Sequence, residues 1–298
     1  LTPGENRLRT QIEKNRNEIR NRSRDQMTLL FAEGILLFAE EKYDQAAEKL
    51  EQYAEKMISN PWAWLWLANV NLGRDNPEKA FQAAQKGLEY RPWNPTLLSA
   101  RRNSLMIKAD LLDQKGDQEK AATLRQAALR DSELMIKMAD SDAQLWSSLA
   151  QSRAKTGDIP GAIKAYTKAL SLDPEMKGTR KGRGVLYARS GDNEKAIEDF
   201  SGEIRIDPAD GGAYFNRALV YANSGRFDLA IADLEISIQK NPTFPDAWGF
   251  RAQCRAKTGD FLGALQDAEE ALKIAPQEWK YRAVMKQEAE AYRKEIDK

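Results

Sequence analysis

The stretch Gly184-Val-Leu-Tyr-Ala-Arg-Ser-Gly191-Asp192-Asn-Glu-Lys-Ala196 places two small residues twelve apart, on either side of a Gly-Asp dipeptide. Outward from it the same spacing recurs at Gly34/Ala46, Ala68/Ala80, Ala109/Ala121, Ala150/Ala162, Ala218/Ala230 and Ala252/Ala264, and no residue of the set is larger than alanine. The central turn recurs as Gly157-Asp158, Gly225-Arg226 and Gly259-Asp260, a period of 34 residues. Such a unit suits two antiparallel helices, each lending a small residue where the backbones come closest, joined by a Gly-containing turn. Pro92, Pro174, Pro208, Pro242 and Pro276 end successive units, since proline cannot continue a helix.

An aromatic residue also stands at the fourth position of the unit (Trp64, Trp146, Tyr214, Trp248) and at the eleventh (Tyr187, Tyr221). With these additions the pattern resembles the tetratricopeptide repeat over residues 27–278. The resemblance implies an all-α fold, a right-handed superhelical solenoid of antiparallel helix pairs. Repeats are expected at 27–60, 61–94, 95–142, 143–176, 177–210, 211–244 and 245–278. A charged arm or marginal helix, residues 1–26, precedes them, and a capping helix, residues 279–298, follows with Trp279, Val284, Met285, Ala291 and Tyr292 on a charged background. Each unit of an array stacks on the next, so one elongated body is expected rather than two domains.

Only the third unit has the wrong length, 48 residues instead of 34. Ala80 to Ala109 and Ala121 to Ala150 are each seven residues longer than the corresponding separations elsewhere. Seven residues make about two helical turns, roughly 10 Å. The insertions lengthen the start of the first helix and the end of the second, which lie side by side in a hairpin. A two-helix knob is therefore expected around 95–101 and 132–141, carrying Leu97, Leu98, Leu134, Met135, Ile136 and Met138. Mutual packing or a docking site would each account for that apolar surface.

Composition narrows the chemistry. Lys and Arg number 46 against 45 Asp and Glu, so the chain as a whole has no attraction to nucleic acid or to a membrane. There is no histidine, which removes Ser-His and Cys-His pairs, histidine metal ligands and an imidazole acid–base. The lone Cys254 reads as a small core residue. No cofactor, metal or catalytic constellation is expected, and the chain reads as a non-enzyme. No apolar run is long enough to span a bilayer. The chain begins at Leu1, which leaves a processed start and an upstream anchor open, and Asn21-Arg22-Ser23 is a single sequon. The compartment stays open, with the cytoplasm placed ahead of the periplasm or the soluble face of an anchored protein.

Charge recurs in register with the repeat. Arg183 goes with Asp199, Arg217 with Asp233 and Arg251 with Asp267; Glu33 with Lys49 reverses the sign; Leu67 with Ala83 and Leu149 with Ala165 carry no charge. A bridge between the two helices of one unit is the reading. The extended unit, with Lys108 and Leu124, is the exception. In the four regular units the first-helix segments hold eleven Lys or Arg and one acid, Asp246. In the family that this resembles, first helices line the concave side, so the resemblance implies a basic groove. The cations left after pairing are Arg153, Lys155, Lys177, Arg180, Lys181, Arg189, Arg255 and Lys257. Of these Lys155, Lys181, Arg189 and Lys257 are expected to face the ligand.

In that family the positions of Trp62, Leu65, Trp66, Asn69 and Leu72 in the second unit face the groove, with packing against the first unit or the N-terminal arm as the alternative, and Phe215, Asn216, Leu219 and Phe250 repeat the pattern farther along, so the aromatic residues among them are the expected anchors. The segment Lys177-Gly-Thr-Arg-Lys-Gly-Arg-Gly184 superficially suggests a phosphate-cradling loop, but lacks the Gly-Lys-Ser/Thr ending and follows no strand. Gly178 and Gly182 read instead as room for a ligand backbone on the inner face. The carboxylate clamp that some tetratricopeptide domains apply to heat-shock chaperones is not expected: Lys181 and Asn216 match it, while Val185, Asp246 and Phe250 do not.

The function expected is a non-catalytic scaffold or adaptor that binds an acidic, partly hydrophobic segment of another protein. The alternatives are a helical-repeat binder of single-stranded nucleic acid, or the targeting arm of a larger enzyme complex. No small-molecule substrate is expected, and a membrane only through an upstream anchor.

Overall fold

The computed structural model describes residues 26–297. The charged arm, apart from Gln26, and the sequon at Asn21 lie outside the described residues. Among those described there are fifteen α-helices and no strand: α1 (Gln26–Ala39), α2 (Tyr43–Lys56), α3 (Pro61–Gly73), α4 (Pro77–Tyr90), α5 (Pro95–Gln114), α6 (Gln118–Met138), α7 (Ala143–Lys155), α8 (Ile159–Leu172), α9 (Thr179–Arg189), α10 (Asn193–Ile206), α11 (Gly211–Asn223), α12 (Phe227–Lys240), α13 (Pro245–Lys257), α14 (Phe261–Ile274) and α15 (Arg282–Ile296). None is long and apolar enough to cross a membrane.

The Gly-Asp dipeptides explain the hairpin turns. Gly157, Gly191 and Gly259 take φ of +87°, +80° and +88°, the left-handed conformation that ends a helix. The next residue donates its N–H back across the turn, as Asp192 does to Tyr187 at 2.9 Å, and then caps the following helix. Thus Asp158 accepts from Gly161 N and Asp260 from Gly263 N, both at 2.9 Å. In the first two hairpins Glu41 and Asp75 take the same left-handed turn, with φ of +59° and +53°.

The small residues pack as their spacing predicts: the alanines of the set are fully buried. Glycine replaces alanine where the facing side chain is large. A Cβ on Gly34 would lie 2.6 Å from Leu50 Cγ, and one on Gly184 would lie 2.8 Å from the Phe200 ring. Each of those two large side chains is buried, worth roughly 2–3 kcal/mol apiece in apolar transfer.

Contacts divide the described chain into two units, residues 26–140 with 155–157, and residues 141–154 with 158–297. In the first unit each helix from α1 to α6 packs on its neighbours in sequence, and in the second the helices from α8 to α15 do so. First helices of successive hairpins also touch, α1 with α3, α3 with α5, and α9 with α11.

The seven-residue insertions appear as two longer helices, α5 of 20 residues and α6 of 21. Their apolar residues are largely used internally. Leu97, Leu98 and Met135 are buried, and Leu97 occupies the space over Gly87 of α4. Only Met138 among the six is more than a third exposed, at 42%. Mutual packing, not a free apolar face, accounts for the knob.

At the other end, α15 packs on α14 and buries Met285, Ala289 and Tyr292 against Ala264, Ala268 and Ala271. Trp279 Nε1 donates to Asp246 Oδ1 at 2.6 Å, so the one acid of the first-helix segments is engaged by the capping segment.

Candidate protein-interaction surfaces

The recurring arginines are structural. Arg183, Arg217 and Arg251 each bind their aspartate through two parallel hydrogen bonds of 2.7–2.8 Å. The aspartates are buried, and fork-on-carboxylate geometry satisfies both oxygens at once. A third donor reaches back to the second helix of the preceding hairpin, from Arg183 to Thr167 Oγ1 and from Arg217 to Ser201 Oγ, both at 2.9 Å. Lys49 and Glu33 meet at 3.3 Å with the sign reversed.

The extended hairpin proves no exception. Arg101 of α5 binds Asp131 of α6 at 2.9 and 2.6 Å and reaches back to Gln85 at 2.8 Å. The device has moved outward by the length of the insertions. Comparison at fixed repeat positions overlooks it, because those positions hold Lys108 and Leu124 here.

The cations expected to be left over for a ligand are mostly paired as well. Lys181 Nζ lies 2.5 Å from Asp210 Oδ2, Lys177 Nζ 3.2 Å from Asp207 Oδ2, and Lys155 Nζ 3.0 Å from both oxygens of Asp110. Arg255 binds Asp267 at 3.0 Å, and Arg153 approaches Asp158 at 3.8 Å. This corrects the expectation of an unopposed basic stripe. Its physical reason is reach: Lys181 of α9 meets Asp210, which caps the start of α11 29 residues on, and Lys177, just ahead of α9, meets Asp207, which ends α10 30 residues on, both separations outside the sixteen-residue pairing rule. Arg189 and Lys257 are exposed and have no ion-pair partner among the described residues.

The Lys177–Gly184 segment is closed to an anion by its own protein. Glu203 of α10, 1% exposed, accepts from the backbone N–H of Gly178 and, at 3.2 Å, from that of Lys181. A carboxylate thereby takes the place that a phosphate would have at this helix start. Nor does Gly182 leave room for a ligand backbone: a Cβ there would lie 2.6 Å from the Tyr166 hydroxyl, so the ring fills that space. Gly178 is needed for its φ of +77°.

Aromatic candidates divide between the units. In the first, Trp62 is 53% exposed, whereas Leu65 is 8% exposed and Trp66 packs edge-on against Phe38 of α1 with centroids 5.5 Å apart. Asn69 is partly buried. In the second, Phe215 lies edge-to-face with Phe244 at 5.0 Å and with Phe250 at 6.3 Å, all three rings partly exposed. Asn216 and Leu219, on the same helix as Phe215, are also partly exposed.

Burial pushes the Cys254 thiol up to about 11, away from reactive thiolate. No group of three or more metal-ligating residues that could hold an ion occurs among the described residues.

A sequence model of the tetratricopeptide repeat matches residues 31–94, 147–211 and 215–278, more than half of the chain. Among solved structures, the chain is similar to a tetratricopeptide repeat protein from Parabacteroides merdae. The two are 17% identical, over 89% of this chain and 98% of that one, with a TM-score of 0.65. It is also similar to a chain of the APC/C hetero-tetramer Cut9-Hcn1, 13% identical over 92% of this chain and 50% of that one, with a TM-score of 0.64. A structure of MamA matches 56% of this chain and 93% of its own at 22% identity and a TM-score of 0.49. No curated protein matches the sequence. At their low identities the first two likenesses establish the fold alone, a solenoid of antiparallel helix pairs.

Proposed function

The chain belongs to the tetratricopeptide repeat family, a class of protein-interaction scaffolds, and from that premise we propose that it binds an acidic, partly hydrophobic segment of a partner protein without catalysing a reaction. The observation that carries this reading is the composition of the first helices of the second unit. Phe215, Leu219 and Phe250 offer partly exposed apolar surface, and the same set of helices bears Arg189 and Lys257, exposed and without a described acid. Aromatic anchors contribute most of the affinity in such a surface, while unpaired cations steer and orient an acidic segment. Lys155 and Lys181 are less suited to that role, because an incoming carboxylate must displace Asp110 or Asp210.

A nucleic-acid binder would draw on the same cations. The carboxylates bonded to Lys155, Lys177 and Lys181 would face its phosphates, which makes that reading the weaker one.

The test begins with a partner captured by cross-linking in cell extract and then purified. Its affinity is compared for the unaltered chain, for Arg189→Glu with Lys257→Glu, and for Phe215→Ala, at low and high salt. At least about a tenfold loss is expected for each, with unchanged helicity and with salt sensitivity reduced only in the charge variant. Unaltered affinity in both variants sinks the proposal.

A further inference from the structure

The second hairpin lacks the arginine device and contains a cavity where the arginine would lie. This cavity, about 400 Å³, opens between α2, α3 and α4 and is lined by Glu51, Trp64, Leu67, Asn71, Lys79, Gln82, Ala83 and Lys86. Leu67 and Ala83 stand at the positions of Arg217 and Asp233, and Glu51 stands sixteen residues before Leu67. The residues sixteen before Arg101, Arg183 and Arg217 are Gln85, Thr167 and Ser201, and each accepts a hydrogen bond from that arginine. In the second hairpin the acceptor remains and the donor is missing.

The walls match as well. Arg251 lies 5.0 Å from the Trp248 ring, and Arg217 lies 5.8 and 5.7 Å from the rings of Tyr214 and Tyr221. The corresponding residues in the second hairpin are Trp64 and Asn71. Asn71 is 2% exposed; its Nδ2 donates to the Leu67 carbonyl at 2.8 Å, which fixes the amide orientation and leaves Oδ1 buried with no hydrogen-bond partner among the described residues. A buried acceptor without a donor is costly, and its satisfaction favours whatever brings one.

We propose that this cavity receives an arginine side chain from a partner protein, its guanidinium lying against Trp64 and donating to Asn71 Oδ1 and Glu51. The planar fork reaches two acceptors and stacks on an indole at once, which an ammonium does not. An anion is disfavoured, because Glu51 and the Asn71 carbonyl only accept. The two lysines of the lining are already engaged, Lys86 with Glu89 at 2.7 Å and Lys79 with Glu51 at the long distance of 3.8 Å, so the guanidinium exchanges a weak contact for a close one. The site is independent of the first-helix surfaces of the second unit.

The probe is N-acetyl-arginine N-methylamide, titrated into the full chain while nuclear magnetic resonance follows the Trp64 indole N–H and the Asn71 side-chain amide. Saturable shifts with a midpoint on the order of millimolar are expected, as for a single side chain. The uncharged citrulline analogue and Glu51→Gln should each weaken binding at least about fivefold. The double variant Leu67→Arg with Ala83→Asp, which installs the chain's own device, should abolish the shifts while its circular dichroism stays helical. If that variant does not fold, the Glu51→Gln arm decides alone. Absent or unsaturable shifts, equal binding of citrulline, or undiminished binding by Glu51→Gln or by the folded double variant overturns the proposal. Tighter binding of free L-arginine than of the blocked residue overturns the partner-protein source. Self-association that disappears in the double variant replaces that source with a second copy of the chain.

Discussion

Arg101 and Asp131 face each other across α5 and α6 in the same antiparallel register as Lys108 and Leu124, two helical turns farther from the turn at Gly116. Asp131 is buried, so removing one partner strands the other. Asp131→Ala is expected to cost about 3 kcal/mol in urea unfolding. Arg101→Leu with Asp131→Ala copies the Leu67/Ala83 solution of the second hairpin and should recover most of that loss. If the double variant is no more stable than the single, the bridge is not the source of the cost.

Glu203 closes the start of α9 from within. Glu203→Gln places an amide where two backbone N–H groups need an acceptor, and should lower stability by about 1–3 kcal/mol. Hydrogen exchange locates the effect: faster exchange is expected at Gly178 and Lys181, with the first unit unchanged. Unchanged exchange at both amides would refute the role.

Backbone conformation supplies a third expectation. Gly225 has φ of +73°, so Gly225→Ala should destabilise by about 1 kcal/mol. Glu41 already adopts the left-handed turn with a side chain, and Glu41→Gly should leave stability equal or slightly higher, because relief of strain offsets the added freedom of the unfolded chain. Thermal melts of the two variants must therefore move in different senses or by clearly different amounts. Equal losses in both would remove the distinction.

Asp110 makes one part of the stability pH-dependent. Burial alone would raise its carboxyl, but hydrogen bonds from Lys155 and Arg125 outweigh it and hold the pKa below the ordinary value. A depressed carboxyl contributes stability above its unfolded value, near about pH 4, and loses that contribution as pH falls through the folded value. Asp110→Asn should therefore lower the melting temperature at pH 6, by an amount that shrinks as the pH falls below about 4. A gap of constant size from pH 6 down through the acid range would assign the effect to packing.

How much was legible follows from what kind of constraint acts. The small pair at Gly184 and Ala196, the left-handed glycine at 191 and the capping Asp192 are local requirements of a helical hairpin, so their spacing shows in the chain itself. The pairing of Arg183 with Asp199 was equally visible, because both ends lie in one hairpin and the repeats supply their own comparison. The candidate surfaces were less so. Lys181 read as free until α11 brought Asp210 beside it, and Gly182 read as open space until Tyr166 filled it.

The sequence by itself determined the unit, its turns, its tandem repetition and its extended third hairpin, since each depends on residues within a few helical turns of one another. Tertiary structure decided which charges remain available and where space is left. A lysine's flexible stem meets several carboxylates at similar range, and only the stacking of one hairpin on the next selects among them. The cavity beside Asn71 is of the same kind: Leu67 and Ala83 are ordinary core residues in the sequence, and become a missing arginine only when Glu51 and Trp64 close around them.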